Sequence, residues 1–196
     1  MNETKKISVI GAGSWGTTLA VLLGGKGYDV HLWARRKELV EEINETRENK
    51  KYLKNVEIPK TVIATNSIED SVKDSNIIIF VVPSPFLRGV AKSFSELIDK
   101  DAIVVHAVKG MEMSTGKRIS EVLKEELSKE AKIAVLSGPN HSEEVSKKLP
   151  TATVIASEHK DVRESLCKIF STTNFKSYPH DDVAGVEICG VVKNIV

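Results

Sequence analysis

The 196-residue sequence predicts an α/β protein built on a doubly wound, mostly parallel sheet with helices on both faces. Three observations carry that prediction. Short β-branched runs alternate with amphipathic segments along nearly the whole chain. The runs are almost continuously apolar, as strands covered on both faces are. The first run leads straight into a glycine-rich turn that opens a predicted helix.

Taken in order, the strand candidates are 6–10 (KISVI), 28–33 (YDVHLW), 76–83 (NIIIFVVP), 102–108 (AIVVHAV), 132–139 (KIAVLSGP) and 151–157 (TATVIAS). Between them, GTTLAVLLGGKG reads as a helix closed by glycines. Residues 35–49, 114–130 and 159–171 read as amphipathic helices. Right-handed crossovers join such strands. The β-α unit is expected over residues 1–180. Residues 181–196 change character: they are apolar, glycine-bearing and predicted helical, with no strand to follow.

Composition excludes several classes. With 28 basic and 27 acidic residues and a net charge of +1, no broad field favours nucleic acid or an anionic membrane. Cys167 and Cys189 form no metal or redox spacing, and two cysteines make a poor disulfide framework. A reducing cytoplasm is the expected compartment. The apolar stretch near the N-terminus is too short for a signal peptide or a membrane span.

The segment ISVIGAGSWGTTLA places Gly11, Gly13 and Gly16 in the G-x-G-x-x-G spacing of a Rossmann dinucleotide loop. Gly11 permits the tight turn, Gly13 lets a pyrophosphate approach the backbone, and Gly16 lets the helix pack on the strand. The helix N-terminus then offers free N–H groups and the positive end of its dipole to phosphate. Ser14 and Trp15 fill the variable positions. The second strand ends in Ala34, Arg35 and Arg36, with no acid before Glu38. NAD sites place an acid there. Two guanidinium groups instead suit a ribose 2′-phosphate, so NADPH is accepted alongside NADH. The alternative is that both arginines are solvated residues at a helix start.

Ligands in such sheets bind beyond the carboxyl ends of the strands. Pro83 and Pro85 stiffen the loop after the 76–83 run. Lys109 stands at the tip of the 102–108 run, as a ligand contact or as an ion-pair partner of Glu112. Gly138 turns the chain at the end of the 132–139 run, where Asn140 or Ser142 serves a ligand, caps a helix, or does both. On a terminal helix, Val186, Cys189, Gly190 and Lys193 share one face. A lysine on such a face either loses its proton readily and exchanges it with substrate, or snorkels to solvent.

GAGSWGTTLA, LWARR, VVPS, AVKGME, SGPNHSEEV and GVEICGVVKNIV occur in this order at these intervals. Together they resemble the bacterial type of NAD(P)-dependent glycerol-3-phosphate dehydrogenase, over essentially the whole chain. The resemblance implies hydride transfer between a nicotinamide and a three-carbon phosphate, interconverting dihydroxyacetone phosphate and sn-glycerol 3-phosphate, a precursor of phospholipid headgroups. It implies cofactor contacts at Ser14, Trp15, Arg35 and Ser142, and substrate contacts at Gly138 and Asn140. Lys109 matches a residue touching both, and Lys193 matches the catalytic proton donor and acceptor. It also implies a homodimer for the full-length form.

Three departures stand out. Asn140 replaces the family's more frequent Ser or Thr, and His141 and Ser142 replace Phe and Ala. The family also continues past the lysine into an all-helical substrate domain. The expectation is therefore a fragment ending in the first helix of that domain. Read literally, 196 residues make a dinucleotide-binding module without turnover.

Overall fold

A computed structural model describes residues 6–192. Its elements, in chain order, are β1 (Lys6–Ile10), α1 (Ser14–Gly24), β2 (Asp29–Trp33), α2 (Lys37–Thr46), β3 (Val62–Thr65), α3 (Ile68–Val72), β4 (Ile77–Phe80) and α4 (Ser84–Phe94). There follow β5 (Ile103–His106), β6 (Met111–Glu112), β7 (Lys117–Arg118), α5 (Ile119–Glu126), β8 (Ile133–Ser137), α6 (Ser142–Ser146), β9 (Thr151–Ala156), α7 (Lys160–Phe170), β10 (Phe175–His180) and α8 (Val183–Val192).

The main sheet has eight strands in the order β10-β9-β8-β5-β4-β1-β2-β3. The doubly wound prediction holds. β1 lies between β2 and β4, so the chain reverses its winding direction at the glycine turn. All pairings are parallel except β8 with β9. β9 and β10 therefore run against the first six strands of the sheet.

The continuous apolar runs are explained by two-sided burial. In β4, Ile77 and Ile79 face one core with Leu19 and Leu23 of α1 and Leu166 and Phe170 of α7. Ile78 and Phe80 face the other core, with Leu87 and Phe94 of α4 and Val122 and Leu123 of α5. A strand with period two and helices on both sides has no polar face to show. Phe94 meets Trp33 and Phe80 edge to face, at centroid distances of 5.4 and 6.2 Å, which fixes α4 against the ends of β2 and β4.

The structure adds α3 and α4, which the sequence reading does not include, and differs from it in the following further places. Two edge strands, β3 and β10, are not among the strand candidates, although β3 is itself a short apolar run, VIAT. β3 has four residues and is held at its outer edge by the Asn44 amide, which bonds Ala64 N and Ala64 O at 2.9 Å each. β10 carries mainly polar side chains and Pro179, as edge strands tolerate. The helix expected over 114–130 covers only Ile119–Glu126, because Thr115 and Gly116 turn a β6–β7 hairpin first. The helix expected over 35–49 stops at Thr46, where Arg47 adopts φ 56°. Its guanidinium then holds the carbonyls of Ile58, Pro59 and Val62, closing the loop back to β3.

α8 packs on the α5 side of β8. Val183 sits with Val135 and Ala156, while a Cβ on Gly190 would lie 2.8 Å from Ser137 Oγ. The helix thus climbs from the start of β8 to its carboxyl end. Its buried residues are Val183, Glu187 and Gly190. Cys189, expected on the same face as Gly190, is exposed. Lys193 lies outside the described residues. Among the described residues no helix is long and apolar enough to cross a membrane.

Candidate functional site: a cavity at the carboxyl ends of the strands

A cavity of about 700 Å³ opens where β1, β2, β4, β5 and β8 end. It gathers Gly11, Gly13, Ser14, Trp15, Gly16, Arg35, Arg36, Lys109, Asn140 and Ser142 from the turns after β1, β2, β5 and β8. Sequence reasoning singled out each of these. Gly138 does not line it. It lies one step behind, where an added Cβ would strike Asn140 Oδ1 at 2.5 Å, so its lack of a side chain makes room for that amide.

The three loop glycines have three different reasons. Gly11 has φ +121°, and a Cβ there would sit 2.6 Å from Val81 O of the neighbouring strand end. A Cβ on Gly16 would overlap Gly11 O at 1.8 Å, so only glycine lets α1 approach the turn. A Cβ on Gly13 would meet nothing within 4 Å. Its space is the cavity itself, which is what a closely approaching phosphate requires. Gly13 occupies the N-cap position of α1 and no side chain caps that end. The first turn also carries no acid. The orphan N–H groups and the positive dipole end are thus left for an anion.

Arg35, exposed, and Arg36, half-buried, stand at the end of β2. Arg36 Nη2 donates to Tyr52 Oη at 2.9 Å, and its guanidinium lies 5.5 Å from the Tyr52 ring centroid. Arg36 is therefore not merely a solvated helix start. Tyr52 is a cavity residue that sequence reasoning missed. It belongs to the long loop after α2, and no periodic signal marked it.

Pro83 lines the cavity and precedes α4, whereas Pro85 sits in the first turn of that helix. Phe86 beside it is 62% exposed and forms part of the cavity wall. Lys109 is half-buried and also lines the cavity. Glu112, three residues on, is held by Arg88 and Thr115. Arg88 grips both carboxylate oxygens at 2.7 and 2.8 Å, and Thr115 Oγ1 donates to one of them at 2.6 Å. The Arg88 bonds first, and then Thr115, hold that carboxyl down to about 2.

Asn140 decides between its two readings. The residue before α6 is His141, and no side chain caps that helix. Asn140 is 7% exposed, and neither Nδ2 nor Oδ1 has a hydrogen-bond partner in the protein. A buried amide with both ends unpaired costs roughly 1–3 kcal/mol unless something else satisfies it. Because it lines the cavity, a polar ligand is the natural partner.

A second polar cluster lies beneath the rim. Glu187 of α8 accepts from Ser120 N at 2.8 Å, Ser120 Oγ at 2.7 Å and Arg118 Nη1 at 3.0 Å, with His106 Nε2 at 3.1 Å. Burial opposes its ionisation, yet the His106 and Ser120 groups outweigh that and hold the carboxyl down to about 2. An acid inside the apolar stretch GVEICGVV was a visible signal that the sequence reading passed over in favour of Lys193.

Residues 6–163 match the family model for the NAD-dependent glycerol-3-phosphate dehydrogenase N-terminus. The chain is 47% identical over 193 residues to a glycerol-3-phosphate dehydrogenase [NAD(P)+] of Chlorobium phaeobacteroides, covering 97% of this chain and 58% of that protein. It is 46% identical over 191 residues to the protein of the same name from Thermoanaerobacter sp., covering 97% and 57%. The crystal structure of glycerol-3-phosphate dehydrogenase from Coxiella burnetii superimposes with a TM-score of 0.93 at 35% identity, over 98% of this chain and 58% of that one. The chain thus spans a little over half the length of the relatives it matches. The matching family model is that of the N-terminus, and the chain belongs to the NAD-dependent glycerol-3-phosphate dehydrogenase family.

Proposed function

We propose that this chain supplies the dinucleotide half of an enzyme that interconverts dihydroxyacetone phosphate and sn-glycerol 3-phosphate with NADPH or NADH, in the cytoplasm, for glycerophospholipid precursor synthesis. Residues 1–180 form the dinucleotide-binding domain and 181–196 begin the helical substrate-facing part. The observation that carries this reading is the single cavity joining the uncapped α1 terminus, Arg35 and Arg36, Lys109 and the unpaired Asn140.

The residues divide the work by chemistry. Gly13, Ser14, Trp15 and Gly16 hold the pyrophosphate through backbone N–H groups. Arg35 and Arg36 take the adenosine ribose and its 2′-phosphate. Ser142 borders the cofactor. Asn140, with Gly138 clearing its space, binds the three-carbon substrate. A bound reduced nicotinamide supplies hydride to C2 of the substrate. Lys109 places positive charge beside the C2 oxygen as negative charge develops there. Lys193 donates the proton that completes the hydroxyl and retrieves it in the reverse direction. In the full-length form two copies pair as a homodimer.

The test is NADPH and NADH titration by the fluorescence of Trp15 and Trp33, run beside NADPH oxidation with dihydroxyacetone phosphate. Saturable quenching with turnover supports the whole reading. Quenching without turnover leaves a dinucleotide-binding module, a second reading favoured by the 58% coverage of relatives. No quenching by either dinucleotide removes the cofactor assignment.

A further inference from the structure

Behind the glycine turn lies a residue that touches no ligand space and that the proposed chemistry does not use. Asn49, in the loop after α2, is 0% exposed. Its Nδ2 donates to Ala12 O at 3.0 Å and to Thr17 Oγ1 at 2.8 Å. Its Oδ1 accepts from Tyr52 N at 3.2 Å. Both amide hydrogens and the amide oxygen are therefore used, which is the condition under which a buried polar side chain rigidifies its surroundings.

The choice of Ala12 O matters. The chain has no cis peptide bond among the described residues, so the Ala12 carbonyl and the Gly13 N–H point in opposite directions from one planar unit. Pulling the carbonyl inward to Asn49 turns the Gly13 N–H outward. Outward from Gly13 is the cavity, since that residue lines it and its missing Cβ would meet open space. The second donor bond, to Thr17, anchors the same amide to the first turn of α1. The oxygen meanwhile sets the backbone of Tyr52, whose ring and hydroxyl meet Arg36 across the cavity. One side chain fixes the turn, the helix start and the tyrosine together.

We infer that Asn49 is a positioning residue for dinucleotide recognition, one that aims the Ala12–Gly13 peptide at the pyrophosphate. This rests on the dinucleotide reading of the cavity. It adds a requirement that the glycine motif does not contain: a distant amide, beyond the second strand, that locks the orientation of the loop's central peptide.

The experiment compares the unaltered chain with Asn49→Ala and Asn49→Ser, each checked by thermal melting. The ligands are NADPH and adenosine 2′,5′-bisphosphate, which keeps the adenosine end but has no pyrophosphate. In a folded variant, NADPH affinity falls about tenfold or more, and adenosine 2′,5′-bisphosphate affinity falls by a smaller factor. A merely structural role lowers the melting temperature and leaves the ratio of the two affinities unmoved, and that result overturns the inference. So does failure of both variants to fold, which makes Asn49 a folding residue. If the unaltered chain binds neither ligand, the dinucleotide reading fails first and this inference falls with it. Binding by the unaltered chain with unchanged affinity in a folded variant sinks the inference alone.

Discussion

His106 Nε2 lies 3.1 Å from Glu187 Oε1, with side chains 0% and 4% exposed. The contact is a close approach rather than a well-aligned hydrogen bond, which neither His106 ring nitrogen makes. It nonetheless joins two segments of interest. His106 closes β5 three positions before Lys109, and Glu187 belongs to the helix that leads to Lys193.

Truncating this acid leaves Arg118 and Ser120 without their shared acceptor and His106 without its neighbour. Glu187→Ala is expected to cost roughly 3–5 kcal/mol of unfolding free energy, as removal of one member of a buried pair does. Glu187→Gln, which keeps the shape, is expected to cost less, about 2–3 kcal/mol at neutral pH. The folded carboxyl titrates at about 2, below the ordinary 4.5. Its contribution is therefore whole above that ordinary value and drains away as pH falls towards about 2. Urea midpoints of the unaltered and Gln forms should converge on acidification. Parallel curves would show that Glu187 stabilises by packing alone.

The glycine turn offers a sharper contrast. Gly13→Ala is expected to leave the melting temperature nearly unchanged, because its methyl enters open cavity, yet to weaken NADPH about tenfold or more by occupying phosphate space. Gly16→Ala meets the Gly11 carbonyl instead and is expected to destabilise by roughly 1–3 kcal/mol or more. Melting curves with and without NADPH separate the two. Equal effects on stability would contradict the geometry.

The arginines are not equivalent either. Arg36 is partly engaged with Tyr52, while Arg35 is exposed at the rim. Arg35→Ala should lower NADPH affinity about tenfold while leaving NADH within a factor of about two, since only the former carries a 2′-phosphate. Fluorescence titration at fixed ionic strength reads this directly. An equal loss for both dinucleotides would move Arg35 away from the 2′ position.

Arg88 fastens the β6–β7 hairpin that follows Lys109, gripping Glu112 through two parallel bonds and reaching Glu125 at 2.9 Å. A lysine has one charge centre and no planar fork. Arg88→Lys is expected to speed backbone amide exchange in residues 109–118 without altering exchange in β1 or β4. Unchanged exchange in the hairpin would assign its order to the turn residues alone.

Thiol chemistry probes α8. Cys189 is exposed and Cys167 is buried, with burial first and Glu164 second raising the Cys167 thiol above its usual range. A maleimide at neutral pH should label Cys189 and spare Cys167 in the folded protein. Equal labelling, read by mass spectrometry of the two peptides, would mean that α7 opens.

Much of the site was legible because its residues obey local rules. Gly11, Gly13 and Gly16 announce a turn by spacing, Arg35 and Arg36 by following a strand, and Lys109 and Asn140 by standing at strand ends. What stayed hidden depends on tertiary contact. Asn49 and Tyr52 lie in an aperiodic loop, and only the sheet brings them to the glycine turn. β10 is an edge strand, half relieved of the demand for apolar side chains, so composition did not mark it, and β3 is a short VIAT run that the sequence reading passed over. Glu187 was readable as an oddity in an apolar helix, but its partners sit on β5 and at the start of α5, far away in sequence.

The place of β1 in the sheet has a kinetic consequence. Val9 pairs with Leu32 and Ile77 with Ile103, closures over a few tens of residues, whereas Ile7 must find Ile77 across the whole β2–α3 segment. That pairing carries the largest loop-closure entropy in the sheet, and the glycine turn is pressed against Val81 at the same seam. The nucleotide cradle therefore takes shape with the slowest-closing joint. A nascent or partly unfolded chain has no such cradle, and its ligand rewards only the finished fold, by mass action.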